Sequence, residues 1–165
     1  MLKKILKYLG YTLLGGLIII QFFRPAKNIG SDQQDEDIVT VYKVPDDVQQ
    51  LLKSTCYDCH SNNTNYPWYA EVQPIAWWLD DHVQEGKKEL NFNRFASYSP
   101  RRQYRKLEEI VDEVKEGEMP LNSYTWVHRE ADLTPEQRAK ITTWAEGVRE
   151  VMRGMYPADS LQRKK

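Results

Sequence analysis

Cys56-Tyr57-Asp58-Cys59-His60 constrains this chain more than any other stretch, because it holds both of the chain's cysteines, three residues apart, with an imidazole directly behind them. C-x-x-C-H is the spacing for covalent haem attachment: two thiols add to the two vinyl groups of the macrocycle and the adjacent imidazole reaches the iron. Both thiols must then be free of other partners. Three other readings use the same residues. A thioredoxin-type redox pair would follow a strand at a helix N-terminus, and no strand-like run precedes Cys56. A zinc site would need Cys56, Cys59 and two of His60, His82 and His128, and the long gaps fit no compact finger. A Cys56–Cys59 disulfide would close too small a loop to stabilise much.

With 165 residues the chain has room for one modest domain plus its ends, and 23 basic against 24 acidic residues leave a net charge of -1. No bulk field then favours nucleic acid as a partner. Ten Tyr, five Trp and four Phe supply bulky walls or a small aromatic core, and composition does not separate the two.

Residues 1–27 set an expectation about compartment. Lys3, Lys4 and Lys7 precede an uncharged run from Tyr8 to Phe23, closed by Arg24-Pro25-Ala26-Lys27. Positive flank then apolar run reads as a signal anchor. No small-x-small cleavage site and no lipid-accepting cysteine follow. The run is short, so Leu2, Ile5 and Leu6 would have to extend it while the lysines snorkel. The expectation is a single-pass transmembrane helix in the cytoplasmic membrane, with the C-terminal domain in the periplasm and the membrane as a partner. In bacteria thioether attachment takes place on that far side, so the two signals agree. Residues 28–43, polar and acidic, read as a flexible tether. Ile38, Val39, Val41 and Tyr42 would allow an ordered strap instead.

The remaining chain is punctuated for helices. Pro45-Asp46-Asp47 opens one carrying Val48, Leu51, Leu52 and Thr55 on one face and running into Cys56. A turn-rich loop at 61–65 leads to Tyr66-Pro67-Trp68-Tyr69, whose rings either cover the attached group or tie the loop to the core. Pro74 starts a helix with Ile75, Trp78, Leu79 and His82 on one stripe. Phe92 and Phe95 are packing residues of a connector. Ser99-Pro100 starts a helix with Tyr104, Leu107, Ile110, Val111 and Val114 inward. Its charged faces, including Arg101, Arg102, Arg105 and Lys106, read as solvated surface. Thr134-Pro135-Glu136-Gln137 forms a capping box before a helix whose inward face runs from Ile141 to Met152, near Gly154. Residues 157–165 read as a frayed tail.

A second iron ligand is sought among three residues. Gly117 can cap the preceding helix in a left-handed conformation, and Pro120 makes Met119 extended, which puts a thioether on a stiff loop. Thioether sulfur suits haem iron opposite an imidazole and raises its potential. The bland alternative is a core methionine. His82 and His128 are the other candidates, each also readable as a structural histidine.

With these residues in view, the chain resembles a family of small bacterial, membrane-anchored haem-binding domains distantly related to cytochrome c. The resemblance runs from about Val44 to Met152. It is carried by Cys56-Tyr-Asp-Cys-His60-Ser, Tyr66-Pro-Trp68, Pro74-Ile-Ala-Trp-Trp78, His82-Val-Gln-Glu-Gly86, Leu90-Asn-Phe92, Gly117-Glu-Met-Pro120, Tyr124, His128, Leu133-Thr-Pro-Glu136 and Trp144. It implies an all-α, cytochrome c-like fold over residues 44–156 around one haem c, one iron, bound through Cys56, Cys59 and His60. The function expected is one-electron transfer with a redox partner protein. The alternatives are a haem sensor or ligand-binding domain with a displaceable sixth ligand, and a zinc or thiol redox module. No Ser-His-Asp pattern, paired catalytic carboxylates or phosphate loop is present, so no enzyme is expected.

Overall fold

A computed structural model describes residues 1–30 and 34–162; residues 31–33 of the expected tether and 163–165 of the expected tail lie outside the described residues. Among the described residues every regular element is helical, with one isolated bridge between Ile29 and Asn63. In order come α1 (Leu2–Ile20), α2 (Ile38–Val41), α3 (Asp46–Thr55), α4 (Tyr57–His60), α5 (Ile75–Glu89), α6 (Pro100–Glu116), α7 (Asn122–Thr125), α8 (Pro135–Met155) and α9 (Ala158–Leu161). Single 3-10 turns lie at Trp68–Glu71, Phe92–Ser97 and Arg129–Ala131.

The ends of these helices follow from the punctuation. Ser99 accepts the N–H of Arg102 with Pro100 in the first turn of α6, and Gly117 ends that helix at φ 82°. Thr134 and Gln137 close a reciprocal capping box on α8. α3 differs in detail: Pro45 occupies the cap position without a side-chain bond, and Asp47 instead accepts the N–H of Val48 at 3.0 Å and pairs with Lys140 at 2.7 Å.

The core lies between α6 and α8. Leu107, Ile110, Val111 and Val114 meet Ile141, Trp144, Ala145, Val148 and Met152; α3 adds Val48 and Leu52, and Phe92 and Phe95 complete the cluster. Burying each such aliphatic side chain is worth about 1.5–3 kcal/mol before entropy is counted. Tyr42 joins it from the segment before α3, and its hydroxyl, desolvated there, is pushed up to about 12.

Two polar segments are ordered against this core. Asn28 is buried and donates its backbone N–H to Tyr66 Oη at 2.8 Å and its side chain to Ser61 O at 3.0 Å. Ile38 is fully buried, and the N–H of Ala96 donates to Glu36 O at 2.8 Å. The described part of 28–43 is thus a strap on the domain rather than a loose tether. Likewise α9 docks on the core through buried Leu161, so the described part of the tail is packed.

The N-terminal expectation is corrected. Among the described residues no helix is long and apolar enough to cross a membrane. α1 contains Lys3, Lys4 and Lys7, and its uncharged part, Tyr8 to Ile20, rises only about 20 Å against the about 30 Å of a hydrocarbon core. The apolar run does not continue as helix to Phe23. There the chain turns onto the domain: Gln73 N–H donates to Gln21 Oε1 at 3.0 Å, and Trp77 Nε1 donates to Phe23 O at 2.8 Å. A single-pass transmembrane helix, and the periplasmic placement that rested on it, are therefore not supported.

Candidate functional site

α4 is one turn long, too short to be stable alone, and every side of it is tied from elsewhere. The Tyr57 ring stacks on Phe92 with centroids 5.1 Å apart, and its hydroxyl donates to the Asp37 carboxylate at 3.2 Å. Asp58 accepts the N–H of Asn65 at 3.0 Å and the Tyr124 hydroxyl at 2.7 Å. α5 comes so close that a Cβ on Gly86 would lie 2.8 Å from the carbonyl oxygen of Cys59. Only glycine permits that approach.

The same approach orients His60. Its Nδ1 lies 2.9 Å from Gly86 O and 3.0 Å from Leu90 O. Carbonyls only accept, so Nδ1 carries the proton and Nε2 keeps its lone pair. Burial lowers the imidazole pKa, with the nearby Lys106 charge acting the same way against the opposing pull of the two carbonyls. The ring is neutral, the form a metal ligand requires.

His60 faces a crevice between α3, α4, α6 and the loop after α6. One part, about 380 Å³, has an aliphatic wall of Leu52, Ile110, Val114 and Ile141 and is also lined by Cys56, His60, Lys106 and Met119. An adjoining part, about 350 Å³, shares Cys56, His60 and Met119 and adds Cys59, His82 and Tyr124. Met119 is held by its surroundings: its N–H donates to Glu113 O at 3.1 Å, and Arg138 Nη1 donates to both Val114 O and Met119 O at 3.0 Å. The crevice thus gathers Cys56, Cys59, His60 and Met119. His82 stands at its edge, with Nδ1 2.8 Å from Trp78 O.

His128 is engaged elsewhere. Its Nε2 meets Tyr69 Oη at 2.7 Å, its Nδ1 meets Glu130 at 3.3 Å, and its ring stacks on Tyr124 at 4.5 Å. Nor do the rings at 66–69 close the crevice: Trp68 is 80% exposed, and Tyr66 is bonded to the strap. Tyr69 lines a third, apolar cavity of about 510 Å³ with Trp78, His82, Tyr124 and Trp126. Lys106, read from the sequence as part of a solvated face, is buried and lines the first cavity.

Both thiols are free. Burial pushes Cys56 up to about 11, only partly offset by the Thr55 hydroxyl, and pushes Cys59 up to about 11 with help from the charge of Asp58. A thiol–disulfide nucleophile needs the opposite shift. Among the described residues no group of three or more His, Cys, Asp or Glu is arranged to hold a metal ion, so the zinc alternative lacks its ligand cluster.

No curated protein and no solved structure matches the chain. A family model described as a haem-binding domain does, over residues 15–147, a span that takes in the pentapeptide, both walls of the crevice and the Met119 loop. With that match over most of its length, the chain belongs to the haem-binding domain family.

Proposed function

We propose that this protein holds one haem covalently, through thioethers to Cys56 and Cys59, and serves as a one-electron carrier. The observation that carries the reading is the locked His60 ring: Nδ1 is tied to two carbonyls, leaving a neutral imidazole with a free Nε2 beside both thiols. The groups present suit the cofactor: two free thiols, one imidazole, one thioether, and an aliphatic wall that excludes water. In this reading His60 and Met119 would hold the iron, and Arg138 and Gly117 position the Met119 loop. When bound, haem supplies a one-electron couple whose potential a thioether ligand raises. The chain supplies orientation and a low-dielectric surround, and no group in the crevice is assigned a catalytic step.

The test is a visible spectrum of protein co-expressed with haem-attachment machinery, in both oxidation states and with carbon monoxide. A low-spin, six-coordinate spectrum lost in Met119→Ala but kept in His82→Ala and His128→Ala supports the assignment. An unchanged spectrum in Met119→Ala refutes the thioether ligand. A second reading, a haem sensor with a displaceable sixth ligand, is favoured by one observation: the crevice adjoins the apolar cavity through Cys59, His82 and Tyr124, giving a small ligand a dry approach. Carbon monoxide binding to the reduced wild type would select it.

A further inference from the structure

We propose that Lys106 is the counter-charge for a carboxylate side arm of the haem, and that it fixes which way round the macrocycle sits. This rests on the haem reading above. The Lys106 side chain is only 5% exposed, and an ammonium taken out of water is costly unless paired. Its pairing is lopsided. Glu89 at 3.2 Å and Glu109 at 2.5 Å take two of its three N–H donors, and both carboxylates reach it from the solvent side, at 63% and 42% exposure.

No other cation of α6 lines the crevice: Arg101 reaches Asp159 O at 3.4 Å and Lys115 pairs with Glu146 at 2.6 Å. Arg105 pairs with Glu109 at 3.2 Å, and Arg102 lies over the Tyr98 ring at 4.0 Å. Among the residues lining the two parts of the crevice, Lys106 is the one cation, beside Glu85, Glu89, Glu109 and Glu113. A haem brings two carboxylates into this space. Set against those glutamates they would be repelled, and against Lys106 a charge-assisted hydrogen bond forms with the third donor. The thiols hold the vinyl side at α4, so Lys106 on α6 defines where a carboxylate side belongs.

The experiment titrates full-length apoprotein, made without attachment machinery, with haemin and with haemin dimethyl ester, whose carboxylates are masked. Wild type is expected to bind haemin about tenfold more tightly than the ester. Lys106→Arg keeps that ratio, and Lys106→Met brings it near one. Glu109→Gln, an exposed change that frees a donor, leaves the ratio at least as large as in wild type. A wild-type ratio near one, a ratio that survives in Lys106→Met, or a collapse in Glu109→Gln overturns the assignment. Binding of neither compound by wild type overturns the haem reading and this inference together.

Discussion

Gly86→Ala separates a close approach that positions the site from ordinary helix propensity. In an unconstrained helix interior, alanine for glycine gains about 1 kcal/mol. At Gly86 the new Cβ would meet Cys59 O at 2.8 Å, Cys59 Cβ at 3.1 Å and Cys59 C at 3.2 Å. Two of these are backbone atoms of the attachment helix, so α5 must back away. Overpacking of this kind costs about 1–3 kcal/mol, and weakening the His60 bond to Gly86 O costs about 1 kcal/mol more. The propensity gain offsets roughly the latter, leaving a net loss of about 1–3 kcal/mol. For a chain of this size that lowers Tm by about 4–8 °C at the middle of the range. Gly147, on the exposed face of α8 with nothing within 4 Å of its Cβ position, is the control. Gly147→Ala should raise stability by about 0.5–1 kcal/mol. Both are measured by urea denaturation of the apoprotein. A Gly86→Ala protein as stable as Gly147→Ala would refute the close-packing argument.

Other consequences follow from the same geometry. Because burial depresses the His60 pKa below its ordinary 6.5, the unfolded chain binds more protons than the folded one below that value. His60's contribution is therefore fully present above pH 6.5 and lost as pH falls; thermal melts of the apoprotein between about pH 7 and 5.5 should slope more steeply than those of His60→Gln, and equal slopes would count against it. With both thiols pushed up to about 11, iodoacetamide should alkylate the apoprotein slowly at neutral pH and accelerate into the alkaline range; a fast-reacting thiolate at pH 7 would contradict the burial argument. Arg138→Ala removes both carbonyl contacts behind Met119 and should cost about 1–2 kcal/mol, while weakening the low-spin spectrum of the loaded protein. A spectrum indistinguishable from wild type would show that the loop is held by other means.

Features that depend on local chemistry were legible in the sequence. The caps at Ser99, Thr134 and Gly117 are read off residue types that make the same bonds wherever they occur, and the C-x-x-C-H spacing is independent of the surrounding fold. What escaped depends on distant partners. Lys106 sits between Arg105 and Leu107 in a charge-rich helix, and its burial is completed by Glu89 at the end of α5; the pattern Gln103, Lys106, Ile110, Val114 was the available signal, being the buried edge of α6. The strap is polar by composition, yet buried Ile38 and the bonds of Asn28 and Asp37 to distant partners seat it. His128 resembles His82 in sequence, and the Tyr69 hydroxyl, 59 positions away, and the Tyr124 ring engage it outside the crevice. At the N-terminus the order of charges follows the pattern of a membrane-spanning segment, whereas the uncharged helical part is too short to cross a membrane.

Intact-mass spectrometry, on full-length protein produced alongside haem-attachment machinery, addresses the thioether linkage without help from any spectrum. The account predicts a mass increased by one haem that survives acid denaturation, and fragments that place the addition on the peptide holding Cys56 and Cys59. A chain of unmodified mass with two alkylatable thiols would contradict it.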